Sequence, residues 1–258
     1  MTSQIHKEFL KATTKLRIIV LVLLILTLPI IKFVLVKDNY VYYRQLEIFL
    51  RTNSDFVPIL FPIIMVLAYS IYFVSEQSNN YLQYVNSRMS LEKYFSSKLI
   101  VNATISFITA FLIIFLPFIF IMYIEPLLNI ITLSPAGENP IPYTTFEQLL
   151  TYGTLSYGAL YSFWIGVNGA LYASFSMLLL MLNKQPLIAF GVPFIYYTVG
   201  NFLTQLLSID QFSPTLSLFP FSISQQQIWT IFIPFSILFM INIVLFLILI
   251  RSLRRSYE

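Results

Sequence analysis

The sequence predicts an all-α, polytopic membrane protein with six transmembrane helices and both termini in the cytoplasm. Three observations predict it. Of 258 residues, 58% are hydrophobic and only 10% are charged, where a soluble domain carries roughly 25% charged residues. The apolar residues gather into runs close to the roughly 20 residues that cross a hydrocarbon core as a helix. The lysines and arginines cluster in alternate connections, as the preference for positive charge on the cytoplasmic side requires. Cysteine is absent and the single histidine, His6, lies in the N-terminal tail. Disulfides, thiolate nucleophiles and cysteine metal sites are therefore excluded, and zinc chemistry has almost no ligands. We read residues 1–258 as one membrane domain.

The first run, residues 16–36, follows a tail carrying His6, Lys7, Glu8, Lys11, Lys15 and Arg17. It exceeds the roughly 7–15 residues of a signal-peptide core and no small-residue cleavage pattern follows, so it reads as an uncleaved span with its basic flank inside. Further spans are expected at residues 56–74, 99–124, 157–182, 186–207 and 228–250. These lengths suit helices that satisfy their own backbone, not the roughly ten-residue alternating strands of a membrane barrel.

With the N-terminus inside, Lys7, Lys11, Lys15, Arg17, Arg88, Lys93, Lys98, Lys184, Arg251, Arg254 and Arg255 all fall on the cytoplasmic side. Residues 125–150 and 208–227 contain no lysine or arginine and fall outside. One connection dissents: residues 37–55 hold Lys37, Arg44 and Arg51, offset by Asp38, Glu47 and Asp55. Lys32, the one ionisable residue well inside the proposed spans, is expected to snorkel to the outer boundary. Pro126, Pro135, Pro140 and Pro142 mark irregular chain outside, with a short interfacial helix expected from Thr144 to Leu150. Glu125, Glu138 and Glu147 read as solvated loop charges, and Tyr123, Tyr157 and Trp229 as interfacial anchors.

Within the spans, Gly158, Ser162, Gly166, Ala170 and Ser174 recur every four residues, with Gly169 and Ala173 beside them. That spacing places small residues on one helix face, where a second helix approaches closely. Asn102, Asn168, Asn201 and Asn242 read as hydrogen-bonding glue between helices. With 25 phenylalanines and 17 tyrosines, an aromatic stripe marks neither a cofactor nor a nucleic-acid surface, and no nucleic-acid partner is expected.

The largest cytoplasmic connection, residues 75–98, interleaves polar residues with Tyr81, Leu82, Tyr84, Val85, Met89, Leu91, Tyr94 and Phe95. Such a pattern suits short amphipathic helices that lie on a membrane or dock into a partner's groove. A glutamate just past the second span, a short polar helix, an Arg-Met-Ser step, a Tyr-Phe pair and a lysine opening the third span follow in order. The carriers are Glu76, Arg88, Ser90, Tyr94 and Lys98. In this order, and in the six-span layout behind a basic amphipathic segment, the chain resembles the membrane permease subunits of type-2 ATP-binding-cassette (ABC) exporters.

The resemblance implies that residues 77–86 form the coupling helix that rests in a cleft of a cytoplasmic ATPase subunit. Its ATPase-coupling residues would be Glu76, Tyr81, Leu82, Tyr84, Val85, Arg88 and Lys98. It further implies a homodimer, or a heterodimer with a similar permease, enclosing a path for a hydrophobic or amphipathic cargo such as a peptide, toxin, lipid or drug. ATP and magnesium would belong to the partner ATPase, because no GxxxxGK[ST] phosphate loop occurs in this chain. A serine nucleophile has no nearby base and no paired carboxylates stand at membrane depth, so the chain is not expected to be an enzyme. The expected location is the cell membrane, most naturally a bacterial cytoplasmic membrane. The rival reading is a non-transporting sensor or assembly module whose 75–98 connection binds a cytoplasmic partner.

Overall fold

The computed structural model describes residues 2–78, 90–135, 144–183, 185–219 and 226–255. An amphipathic helix α1 (Thr2–Ala12) precedes the long apolar α2 (Lys15–Val36). A short α3 (Gln45–Thr52) leads into α4 (Phe56–Ser78). Beyond the undescribed 79–89 stretch, α5 (Leu91–Ile119) runs through a π-helical turn (Phe120–Ile124) into the single-turn α6 (Glu125–Leu128). A 3-10 helix at Thr145–Tyr152 introduces α7 (Thr154–Asn183). Then follow α8 (Pro186–Leu206) and α9 (Phe232–Arg255). No strand occurs among the described residues.

Six segments are long and apolar enough to cross a membrane: Lys15–Val36, Phe56–Gln77, Leu91–Leu128, Thr154–Asn183, Pro186–Leu206 and Ile228–Leu253. The architecture is thus that of a multi-pass helical membrane protein. All six expected spans are present, but the third begins at Leu91 rather than at residue 99. Its first two turns are amphipathic: Tyr94, Phe95, Ser97 and Lys98 are buried while Glu92 and Lys93 face outward. That alternation lowers the local hydropathy and hides the helix from a search for continuous apolar sequence.

Helix α7 is the hub, packing on α4, α5, α8 and α9. Its small residues permit the close approach of α5. A Cβ at Gly158 would stand 2.1 Å from the Phe118 ring, and one at Gly166 2.8 Å from the Phe107 ring and 3.2 Å from the Phe107 carbonyl oxygen. At Gly169 it would stand 2.5 Å from Ala110 and 2.7 Å from the Met65 sulfur. Gly158, Ser162 and Gly166 are buried, whereas Ala170 and Ser174 are only half-buried. A spacing of four drifts around a helix of 3.6 residues per turn, so Gly169, Ala173 and Ser176 take over the buried face further along. By contrast α2 buries only Ile25, Pro29, Lys32 and Val36, and most of its leucines, isoleucines and valines are exposed. This is the expected disposition where lipid is the solvent.

Ile5 and Phe9 of α1 and Leu253 of α9 pack on the same buried cluster as Tyr94 and Phe95 at the start of α5. Both termini therefore lie at one end of the bundle. At the other end, Arg44 pairs with Glu147 at 2.9 Å, and Glu147 also accepts the Thr144 N–H at 3.0 Å. Lys37 lies 3.6 Å from Asp38, and the Arg51 guanidinium lies 4.0 Å from the centre of the Tyr40 ring. Lys37 and Arg44 of the dissenting connection thus each have an acid beside them, and Arg51 an aromatic ring.

Several expectations change. Lys32 is buried along its length, and its ammonium reaches the exposed carboxylate of Asp55 just before α4, so it extends to the outer connection and meets an acid there. Glu125 and Glu147 are buried rather than solvated, Glu125 accepting the Ile131 N–H at 2.8 Å. Tyr157 is no interfacial anchor, for it is fully buried beside Tyr161, Phe118 and Phe49. Among the asparagines, Asn102 bridges helices by accepting from Ser70 at 3.4 Å. Asn201 accepts from Ser213 in the following loop at 2.6 Å. Asn168 and Asn242 instead donate to carbonyls of their own helices, those of Trp164 and Leu238.

Candidate coupling site at the termini end

Four segments converge on the lysine that opens the third span. In α5, Tyr94 and Lys98 are four residues apart and share a face. In α4, Tyr69, Tyr72 and Glu76 recur at spacings of three and four and present a second face to the first. In α1, Ile5, Phe9 and Ala12 form the inward stripe, and Glu8 falls within it. Arg17, in the first turn of α2, stacks its guanidinium on the Tyr72 ring, 3.7 Å from its centre.

The Lys98 ammonium is fully buried and lies 2.6 Å from Glu76 Oε2. It also forms an ion pair with Glu8, itself fully buried. The Tyr94 hydroxyl donates to the same Glu76 oxygen at 2.7 Å. Glu8 takes a second cation, Lys11, at 3.1 Å, and accepts from the Gln4 amide at 3.3 Å. Aromatic faces line the ammonium: the ring centres of Tyr72, Tyr94 and Tyr69 lie 4.7, 5.4 and 6.0 Å from Lys98 Nζ. Two carboxylates are thereby balanced by two lysines in surroundings from which water is largely excluded.

Buried charge persists only when paired, because the desolvation of each ion costs several kcal/mol. The cluster consequently fixes the relative positions of three helices. Glu76 stands at the end of α4 and Lys98 two turns into α5, so the pair closes the base of the 79–89 connection. Glu8 ties α1 to that base, and Gln77 Nε2 adds a contact to α7 through the Leu180 carbonyl at 3.3 Å.

Of the residues expected to act in coupling, Glu76 and Lys98 are brought into direct contact. Tyr81, Leu82, Tyr84, Val85 and Arg88 lie outside the described residues, as does the stretch 79–86 of the expected coupling helix. The small residues of α7 stand apart from the cluster, at the α5 contact. Sequence reasoning missed the role of Glu8. Its signal was available: it is the sole acid in an otherwise basic tail, set among Ile5, Phe9 and Ala12 on the apolar stripe of a helix.

No family model, no curated protein and no solved structure matches this chain. What can be said of its class rests on the fold and on this cluster: a multi-pass helical membrane architecture whose pre-span helix is ion-locked to the base of one connection.

Proposed function

We propose that the chain is the membrane-spanning permease subunit of an ABC exporter, coupling ATP hydrolysis on a separate ATPase subunit to export of a hydrophobic or amphipathic substrate. The observation that carries the reading is the Glu8–Lys98–Glu76 cluster, which joins α1 to both helices flanking residues 79–89. A permease without its own ATPase needs a connection that receives a push and a stiff path leading from it into the bundle. A two-state path of this kind must be a packed element biased by nucleotide binding on the partner.

In this reading the termini end faces the cytoplasm, in keeping with the lysines and arginines at that end. Residues 79–89 then meet the ATPase, which binds ATP and magnesium. Two permeases, identical or similar, enclose the cargo path between them. Few charges stand within the spans, so a wall built from them is largely apolar and aromatic and suits a peptide, lipid, toxin or drug.

The test is to co-express the chain with its candidate ATPase, isolate the complex and measure ATP hydrolysis. The unmodified chain is expected to co-purify, and Tyr81→Asp with Leu82→Asp to abolish co-purification. Failure of the unmodified chain to associate with any ATPase would favour the sensor or assembly module instead.

A further inference from the structure

The end of the bundle away from the termini carries a pair of pivots. Pro29 lies inside α2 and Pro62 inside α4, and both are buried. A proline within a helix removes the bond to the carbonyl four residues back, here those of Ile25 and Pro58, and a helix bends most readily at such a point. The chain between the two prolines is one continuous piece: the far ends of α2 and α4 with the 37–55 connection between them, α3 included.

That piece is stapled to itself. Lys32 near its start pairs with Asp55 near its end. The Tyr42 hydroxyl donates to the Val36 carbonyl at 2.9 Å, and Glu47 accepts the Tyr43 N–H at 2.9 Å and lies 3.5 Å from Arg44 Nε. Its seat on the bundle is aromatic, the Phe49 ring centre lying 5.4, 6.5 and 6.2 Å from those of Phe118, Tyr157 and Tyr161. Arg44 latches it to Glu147 at 2.9 Å. Breaking the latch strands neither partner. Arg44 keeps Glu47, which travels with it. Glu147 keeps the Thr144 N–H and stands within electrostatic reach of the Tyr157 hydroxyl, which has no hydrogen-bond partner among the described residues. A crevice of about 460 Å³ between α2 and α5, lined in part by Pro29, Phe33 and Pro117, leaves the far end of α2 room to tilt.

We propose that residues 30–61 form a lid that pivots at Pro29 and Pro62 and is latched shut by Arg44 and Glu147 over the aromatic floor of Phe118, Tyr157 and Tyr161. Opening leaves Arg44 on Glu47 alone and lets the Tyr157 hydroxyl donate to Glu147. Each state thus has its own set of partners, as a two-state element requires. The lid lies at the opposite end from the ion cluster and does not rest on the ATPase reading.

The experiment is pulsed electron–electron distance measurement on the full chain in nanodiscs, with spin labels on introduced cysteines, since the chain has none of its own. Asn39→Cys with Leu155→Cys spans from lid to α7, and Asn39→Cys with Ile59→Cys lies within the lid; all three positions are exposed. The spanning pair is expected to show a second, longer distance that is rare in the unmodified background. Arg44→Gln, and separately Glu147→Gln, which leaves no buried unpaired carboxylate, should each raise its proportion relative to the closed distance roughly ten-fold, the scale of one charge-assisted hydrogen bond. Pro29→Ala together with Pro62→Ala restores both helical bonds and should abolish it. The pair within the lid should keep one distance throughout, which also reports that each variant is folded. Absence of the longer distance in both latch variants, its survival in the proline double variant, or a second distance within the lid would overturn the proposal.

Discussion

Lys98 has two carboxylates for partners and no exposure to solvent. Its removal therefore differs from the loss of a surface ion pair, which is worth at most about 1 kcal/mol. Lys98→Met leaves Glu8 and Glu76 facing each other without their shared cation and is expected to cost roughly 3–5 kcal/mol. The triple variant Glu8→Gln, Lys98→Met, Glu76→Gln removes the charges together and should recover most of that loss. Unfolding midpoints in detergent measure both, and a triple variant as unstable as the single one would mean that packing, not charge, holds the cluster. In the sequence, Lys98 and Glu76 are legible as a pair because they bracket one connection. Glu8 is not, since its partner lies ninety positions away and no local pattern specifies the contact. Lys32 and Glu147 teach the same lesson: the sequence shows where a charge is, whereas its burial depends on a distant residue, Asp55 or Arg44, folding onto it.

Among the elements, α7 carries the clearest sequence signature and the clearest penalty for altering it. Gly158→Ala would press a methyl into the Phe118 ring, where the space is 2.1 Å, and is expected to destabilise by about 1–3 kcal/mol. Gly191→Ala in α8 meets nothing within 4 Å and should be neutral or stabilising by up to about 1 kcal/mol. The two unfolding curves, measured side by side, separate a packing glycine from a tolerated one. The small-residue stripe was readable because its physics is local to one helix. Its drift from Ala170 and Ser174 to Gly169, Ala173 and Ser176 follows from helix geometry alone. The early start of α5 is not readable, because its first two turns gain their apolar surroundings from distant parts of the chain, α1, α4 and the end of α9.

For the molecule as a whole, span number follows from hydropathy and the common end of the termini follows from packing. The proposed orientation is directly testable because the chain contains no cysteine. Lys7→Cys at the termini end and Thr132→Cys at the other, both at exposed positions, give single-cysteine proteins. A membrane-impermeant maleimide added to intact cells is expected to label Thr132→Cys at once and Lys7→Cys only after lysis. The reverse pattern would invert the topology and remove the coupling proposal with it. The connection between residues 37 and 55 no longer weighs against this orientation. Arg44 is engaged with Glu147, 103 positions away, so its charge is compensated within the protein rather than by the membrane.

The Glu8–Lys98 pair also sets an order of events during synthesis. Glu8 leaves the ribosome ninety residues ahead of Lys98, so for an interval its carboxylate exists without that lysine. In that interval the first helix lacks the buried counterion it packs against in the folded bundle. Only when the third span enters the membrane does the lock acquire its key. The docked position of the amino-terminal helix therefore depends on a residue of the third span.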